Sequence, residues 1–364
     1  MGAPTIDFDI GTAYDFFISL DVLHDPGRYG VRPAWAAGMR SRLPFADRET
    51  LELANQVHLL VPSVTWIYEL PAPKDSRAAL RALDALPADQ RIRATSWIDK
   101  EQDEPIADLL RGVIDRGSWV PDELAQLSEL WRAHKGKRPP SRKQLSILLD
   151  TWAQPAEFGE RYLTAMRAYY EVFFAEEEAR IRPFLEDGLA HARELAARLE
   201  FSALMEELSQ GVRFEEPPHV EEVVLAPSFW GSPYIFYMEG PRYHLYVFGA
   251  RPAEASLVPG EAVPDALING LKALSDPTRL RILRYLTSES LTPTQLARRL
   301  RLRAPTVIHH LSMLRVAGLV TVTVSKKEKI YAARRDGVDM VCKLLQGFVS
   351  SEQIDELQVD YSAD

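Results

Sequence analysis

The sequence predicts a mainly α-helical protein with a small β component, folded as two domains. From about Tyr14 to Glu207, apolar residues recur every three and four positions with charged residues between them, which is the period of amphipathic helices. From 219 onward, short aromatic and β-branched runs appear beside helical patterns, and such runs favour strands. A length of 364 residues also fits two domains.

The N-terminal domain is predicted to span residues 1–250. Turn-forming groups such as Asp25-Pro26-Gly27 divide its helical segments. Three short strand patterns at about 219–250 predict that it ends in a small antiparallel meander. Residues 251–264 contain three prolines and little periodic apolar signal, which is typical of a linker. The remaining predicted parts are a second domain at 265–349 and an acidic tail at 350–364.

The cysteine count and the length of the apolar runs indicate the cellular compartment of the protein. The single cysteine, Cys342, cannot form a disulfide within one chain, so a reducing compartment fits, and we expect it to be a small buried residue. Apolar runs fall short of the ~18 residues that a membrane span needs, and the first residues lack a secretory-signal pattern. We therefore expect a cytoplasmic protein without membrane contact.

The charge is divided unevenly along the chain. The formal net charge is −9. Between Leu267 and Arg335, however, 14 Lys and Arg side chains stand against 3 Asp and Glu, a net charge of +11, while the remainder carries −20. A basic module on an acidic body is typical of a protein whose partner is a polyanion.

The basic module contains residues that are typical of helix starts. Asp276-Pro277 offers a side-chain acceptor at the N-cap and a proline at the first helical position. Thr292 and Gln295 match a capping box, in which each side chain bonds to the other's backbone N–H. Arg303-Ala304-Pro305 is the expected turn before a further helix, which ends at Gly318. Short helices followed by two strands predict a winged helix-turn-helix.

The helix that ends at Gly318 is predicted to have two faces. Its buried face consists of apolar residues at i, i+4 and i+7: Val307, Leu311 and Leu314. Its outward face carries hydroxyl, imidazole and thioether groups on Thr306, His310 and Met313, and His309 lies beside this face. Such groups suit base edges and thymine methyl groups in the major groove of DNA.

A lysine-rich hairpin follows this helix. Val320–Val324 alternates with period two, and Ile330–Ala333 returns after a charged turn. Ammonium groups at a hairpin tip beside a reading helix are placed to meet phosphates. The predicted DNA-binding residues are Arg303, Thr306, His309, His310, Met313, Lys326, Lys327 and Lys329.

The same residues carry a family resemblance. The segments LKALSDPTRLRILRYL, LTPTQLARRL and APTVIHHLSMLRVAGLV, with the lysine hairpin, resemble the winged-helix domain of ArsR-type bacterial regulators. This resemblance implies a homodimer that binds an imperfect palindrome, often as a repressor, with Ala304 to Arg315 in the major groove. The N-terminal region resembles an uncharacterised helical region found in front of such domains. This second resemblance brings no known activity.

The resemblance also bears on metals and on dimerisation. Metal-sensing members carry Cys-x-Cys where this chain has Thr292 and Thr294, and the last helix here offers no histidine. We therefore expect neither a metal nor a cofactor. The dimer is expected to use the helix before Asp276 and the helix after Asp336. The apolar stripe on that last helix comprises Val338, Val341, Leu345 and Phe348.

The remaining chemistry-bearing groups have structural explanations. Solvated faces and helix caps are expected for Glu176 to Glu178 and for the early acidic residues Asp7, Asp9, Asp15 and Asp21. The seven tryptophans are expected mostly in the core, although some could line a pocket for a small apolar ligand. The sequence contains no phosphate-binding loop, zinc-protease motif or hydrolase motif, so we expect no enzyme activity.

These observations predict a sequence-specific DNA-binding transcriptional regulator. It is expected to be a dimeric repressor whose N-terminal domain senses a non-metal signal or a partner. Two alternatives stay open. The N-terminal domain recruits a protein partner as a scaffold, which a large exposed apolar patch would favour. Alternatively it carries an enzyme activity, which a pocket with a strongly perturbed acid–base pair would favour.

Overall fold

The computed structural model describes residues 4–56, 64–96, 105–135, 140–240, 242–261, 263–325 and 328–350. The chain divides into two compact units. Unit 1 comprises residues 1–194 and 218–250, and unit 2 comprises residues 195–217 and 251–364. The described part of the chain is mostly helical, as predicted. Within it, every helix is too short or too polar to span a lipid bilayer.

Unit 1 begins with a short strand and continues as a series of helices. These elements are β1 (Thr5–Phe8), α1 (Thr12–His24), α2 (Pro33–Ser41), α3 (Phe45–Gln56), α4 (Val64–Glu69), α5 (Ser76–Ala85), α6 (Ala88–Thr95), α7 (Pro105–Arg116), α8 (Pro121–Lys135), α9 (Arg142–Ala153), α10 (Pro155–Tyr169) and α11 (Ala175–Ala196). A π-helical segment, Tyr170–Phe174, joins α10 to α11. The next two elements belong to unit 2: α12 (Phe201–Leu208) and β2 (Val212–Phe214).

Helix α1 is central to unit 1, since residues on all of its faces are buried. A helix that is apolar on all sides is typical of such a position. Phe16 stacks on Tyr169 of α10 with ring centroids 5.6 Å apart. Ser19 Oγ lies 2.7 Å from the Tyr169 hydroxyl. Because α1 has no solvated face, its polar side chains must find partners inside the protein.

A four-stranded sheet of order β1-β3-β5-β4 completes unit 1. Its later strands are β3 (Glu222–Ser228), β4 (Phe236–Glu239) and β5 (Tyr243–Gly249). β3 is parallel to both β1 and β5, whereas β4 is antiparallel to β5. The predicted antiparallel meander at 219–250 is therefore wrong except for the β4–β5 hairpin.

The apolar pattern of these strands explains the difference. Val223 to Ala226 and Leu245 to Phe248 are continuous buried runs, which parallel strands covered on both faces require. A meander with one wet face would alternate instead. The sequence shows three strand patterns in succession, which predict that each strand pairs with the next. In the structure, β4 occupies the connection between β3 and β5 and pairs on the far side of β5.

Unit 2 contains the predicted second domain. Its further elements are α13 (Asp265–Leu274), α14 (Pro277–Ser288), α15 (Pro293–Leu300), α16 (Ala304–Val316), β6 (Val320–Val324), β7 (Lys329–Ala333) and α17 (Gly337–Ser350). β6 and β7 form the predicted hairpin, and β2 pairs in parallel with β6. The core consists of the apolar faces of α14, α15 and α16 with β6. Together these elements form a winged helix-turn-helix.

Residues 251–264, predicted as a linker, pack as part of unit 2. Leu257 is fully buried, and its N–H donates to the Asp265 carboxylate at 2.6 Å. Arg251 Nη1 donates to the same carboxylate at 2.5 Å. A buried carboxylate with these donors fixes the segment to the start of α13, and the boundary between the two units falls just before it, at 250/251. The predicted tail lies outside the described residues from 351 onward.

Candidate nucleic-acid interface

Side-chain caps fix the starts of α14 and α15. Asp276 Oδ1 accepts a hydrogen bond of 2.8 Å from the backbone N–H of Arg279. The Thr292 N–H donates to Gln295 Oε1 at 2.8 Å, and the Gln295 N–H donates to Thr292 Oγ1 at 3.3 Å. Both predicted caps are confirmed. Each satisfies N–H groups that a helix start leaves without partners, which stabilises a helix by about 1 kcal/mol.

The turn between α15 and α16 lies earlier than predicted. Arg301 ends α15 in the left-handed region with φ of +56°. Arg303 is the N-cap of α16, and Pro305 lies in its first turn. Gly318 follows α16 with φ of +67°, a conformation that favours glycine and confirms the predicted helix end.

Helix α16 buries the predicted inward face but presents a different outward face. Val307, Leu311 and Leu314 are fully buried. The exposed residues of the helix include Pro305, Thr306, Ile308, His309 and Ser312. His310 and Met313 are half-buried, so the prediction that they form the outward face is wrong. Packing of α16 against α13, α14 and α15 covers more of the helix than its sequence pattern suggested.

His310 lies beside the N-cap of α14. Its Nδ1 is 4.0 Å from Asp276 Oδ1, which is too long for a hydrogen bond. Burial lowers the pKa of His310, and the positive Arg279 acts in the same direction, while Asp276 opposes both. The imidazole is therefore mainly neutral near pH 7. His309, which is exposed, is the better candidate for contact with DNA.

The wing is the hairpin of β6 and β7. Val320 pairs with Ala333, and Val324 pairs with Lys329. A backbone bridge between Leu291 and Tyr331 joins the hairpin to the chain before α15, with both N–H···O distances at 2.9 Å. Lys329 is exposed on the wing. The other two predicted wing contacts, Lys326 and Lys327, lie outside the described residues.

Several guanidinium groups of unit 2 are exposed and several are paired. The exposed arginines near the helix-turn-helix are Arg281, Arg284, Arg298, Arg301 and Arg303. By contrast, Arg299 binds Glu289 through two hydrogen bonds, and Arg334 binds Asp336 at 2.9 and 3.1 Å. Three of the exposed arginines, Arg298, Arg301 and Arg303, lie at the end of α15 and in the turn before α16.

Two residues of α16 have positions that the sequence did not predict. Ile308 is 53% exposed, an unusual position for a large apolar side chain. A thymine methyl group would fit such a side chain. Arg315 is only 7% exposed and donates a hydrogen bond to the Ser209 carbonyl of the segment before β2. No local pattern predicts this contact, since the two residues are distant in sequence.

The predicted dimer stripe on α17 is partly exposed. Val338, Leu345 and Phe348 are 45%, 38% and 38% exposed. Val341 is buried against Gly270 of α13 in the same chain, so including it in the intermolecular stripe was wrong. Cys342 is exposed, contrary to prediction, since only one narrow face of α17 packs against α13.

Unit 1 contains buried carboxylates where the sequence suggested solvated ones. Asp15 Oδ1 accepts from Ser228 Oγ at 2.6 Å and from the Trp230 N–H at 2.7 Å, and Oδ2 accepts from the Phe229 N–H at 3.1 Å. Glu177 accepts from Trp230 Nε1 at 3.1 Å. The prediction of solvated faces is therefore wrong for these side chains. Glu178 is also buried, with bonds from the Thr12 hydroxyl and the Ser76 N–H.

The other early acidic residues lie closer to the surface. Asp9 accepts from the Tyr14 hydroxyl at 2.5 Å and from Lys74 Nζ at 2.7 Å. Asp21 accepts from the Tyr29 hydroxyl at 2.5 Å. These bonds tie α1 to its neighbours, so the carboxylates hold the fold together.

The Asp15 carboxyl group gives a pH-dependent stability. Burial raises its pKa to about 7, against the three hydrogen bonds, which favour the charged form. Its contribution to the free energy of unfolding is fully present below pH 3.8, the pKa in the unfolded chain, and is lost as the pH rises through about 7. We expect the Asp15→Asn variant to lose this dependence of stability on pH. The total change is about 4 kcal/mol for a pKa shift of about three units. Thermal unfolding between pH 4 and pH 8 measures it, and an unchanged slope would contradict it.

The tryptophans and cavities of unit 1 test the prediction of a core position or a ligand pocket. Of the six described tryptophans, Trp66, Trp152 and Trp230 are buried, which confirms a core position for these three. Trp97 lies outside the described residues, and the remaining three are half-buried: Trp35, Trp119 and Trp131. An apolar void lined by residues such as Leu20, Met39 and Phe173 measures about 10 Å³, which is too small for a ligand. A larger open groove of about 710 Å³ runs along α8 and α9 and is lined in part by Leu124, Leu145 and Pro121.

Comparisons with known proteins identify the module in unit 2. Residues 276–322 match the family described as bacterial regulatory protein, arsR family. The crystal structure of NolR from Sinorhizobium fredii is 28% identical, covers 25% of this chain and 93% of its own, and has a TM-score of 0.21. No curated protein matches the chain. The chain is a DNA-binding transcription regulator whose residues 276–322 match the helix-turn-helix domain of the bacterial arsR family.

Proposed function

We propose that the chain is a dimeric repressor that binds a palindromic operator with α16 in the major groove. The observation that carries this proposal is the outward face of α16. Thr306, Ile308 and His309 are exposed there, on the helix that the exposed Arg303 caps, and Lys329 is exposed on the wing that follows the helix. The module thus offers polar and apolar groups suited to base edges together with cations suited to phosphates.

The two predicted contact types have different signatures. Base contacts set sequence preference, and each good one contributes about 1–3 kcal/mol of discrimination. Phosphate contacts set the dependence on salt, and each contributes about 0.9 to the slope of log K against log salt concentration. The His309 and Lys329 side chains therefore report on separate parts of the interface.

We expect the His309→Ala variant to bind the operator more weakly by about 1–3 kcal/mol and to accept more bases at one position. His310→Ala should have the smaller effect, since His310 is half-buried. Lys329→Ala should weaken binding to all sequences and lower the salt slope by about 0.9. The measurement is fluorescence anisotropy on a duplex selected from a random-sequence pool, at several salt concentrations.

The control is Lys143→Ala, which removes an equally exposed lysine from α9 of unit 1 and should leave both quantities unchanged. Wild-type protein that enriches no sequence from the pool would contradict the proposed function. So would His309→Ala and Lys329→Ala variants that bind as tightly as wild type.

We also propose a sensing role without enzyme activity for unit 1. The signal is a small apolar ligand or a protein partner, and the groove along α8 and α9 supports either, because Leu124, Leu145 and Pro121 contribute to its lining. The buried carboxylates Asp15 and Glu177 support a structural role, since their hydrogen bonds hold the loop after β3. A ligand would act by binding one conformation of the dimer more tightly than another.

A further inference from the structure

The segment from α12 to β2 is built into unit 2, and we call residues 201–214 the clasp. Ser202 Oγ donates to the Phe214 carbonyl at 2.7 Å, which ties the two ends of the clasp together. Ser209 Oγ accepts from the Val212 N–H at 2.8 Å and closes the turn between α12 and β2. The clasp is therefore a compact structure of its own and not an extended connection.

The clasp adds a third strand to the wing. Val212 to Phe214 pair with Val322 to Val324 in parallel. The Val322 N–H donates to the Gly211 carbonyl at 2.8 Å. Strand β6, which would otherwise be an edge of a two-stranded hairpin, is thus held on both sides. An isolated two-stranded hairpin is marginally stable, and a third strand stabilises it.

The clasp also binds the end of the DNA-reading helix. The Arg315 guanidinium of α16 donates to the Ser209 carbonyl inside the protein. It lies close enough to Tyr331 of β7 to oppose the rise in that hydroxyl's pKa that burial causes. One buried cation therefore lies among the end of α16, the clasp and the wing.

The fit between clasp and wing is close at Gly211. This residue has φ of +115°, a conformation that side chains rarely adopt. A Cβ atom there would lie 3.1 Å from Thr321 Cγ2 and 3.4 Å from Thr321 Cα. The backbone conformation therefore favours glycine here, and an added Cβ would press against Thr321 of β6.

We propose that the clasp positions the wing against α16 for DNA binding, and that Arg315 is the positioning residue. This inference rests on the proposed DNA-binding function. Arg315 is buried and acts through the wing, so its loss weakens phosphate contacts that other residues make. Both ends of the clasp continue into unit 1, which gives the proposed sensing unit a covalent connection to the reading surface.

The test is a double-mutant cycle between Arg315→Met and Lys329→Ala, read by operator affinity and by its salt slope. We expect Arg315→Met to raise the Kd about tenfold, because the wing then occupies its binding position about a tenth of the time. It should also lower the salt slope. In the double variant the loss of binding free energy should be smaller than the sum of the two single losses, since both residues act through the wing.

A second measurement needs no DNA. Hydrogen exchange of the Val322 amide should be faster in Arg315→Met than in wild type, because its bond to Gly211 opens more often. Gly211→Ala disturbs the same contact from the clasp side and should reproduce both effects if Arg315→Met fails to fold. The matched control is Arg81→Met, an exposed arginine on α5 of unit 1.

Losses that are fully additive, or an unchanged Val322 exchange rate in both clasp variants, would overturn the proposal. Failure of the proposed function gives a different result. In that case the wild-type protein binds no operator, while hydrogen exchange still reports whether Arg315 holds the wing.

Discussion

The Asp15→Ala variant is expected to lower the free energy of unfolding of unit 1 by about 3 kcal/mol near pH 5, because it leaves buried hydrogen-bond donors without an acceptor. The Asp15 carboxylate accepts from two backbone N–H groups and one hydroxyl in the loop after β3. The substitution also removes the cost of burying a charge. That gain is small near pH 5, where a carboxyl group with a pKa of about 7 is mainly protonated.

The loop makes this loss specific to unit 1. Trp230 is fully buried, so its fluorescence reports the opening of the loop. We expect Asp15→Ala to lower the midpoint of the transition followed by tryptophan fluorescence. Asp15→Asn should have a smaller effect, since its amide oxygen keeps one acceptor. Asp187→Ala, at an exposed position on α11, is the control. A midpoint for Asp15→Ala equal to that control would refute the expectation.

The features that the sequence predicted correctly are those set by neighbouring residues. The cap at Asp276 and the capping box of Thr292 and Gln295 depend on residues three positions apart, which one helix start brings together. The buried face of α16 follows from the helical period. Local spacing is sufficient in these cases, because the backbone geometry of a helix fixes which side chains are neighbours.

The features that the sequence did not predict depend on distant parts of the chain. From the sequence alone, Asp15 is one polar residue on a predicted helix, but its hydrogen-bond partners at Ser228 to Trp230 lie more than 200 positions later. His310 reads as part of an outward face, but the N-cap of α14 lies beside it. Strand β2 is only three residues long, and its pairing with β6 has no local signal. Tertiary packing decides each of these cases.

Disruption of the proposed dimer is the change with the largest expected effect on DNA binding. Helices α13 and α17 pack together through Gly270 and Val341 within one chain. This packing leaves Val338 and Leu345 exposed on α17. Exposed apolar side chains two turns apart on one face of a helix suit a second copy of the same surface, since a two-fold dimer joins identical patches.

The Val338→Glu/Leu345→Glu double variant is expected to be monomeric and to bind the operator about 10²–10⁴-fold more weakly, because the second half-site no longer binds as part of one molecule. Light scattering measures the mass, and anisotropy measures the affinity. Val120→Glu, at a 53% exposed valine in unit 1, is the control for the added charge. Val341→Ala should instead lower stability, since that side chain is in the core. A double variant that stays dimeric would place the interface elsewhere. A monomer with wild-type operator affinity would show that a single helix-turn-helix is sufficient for binding.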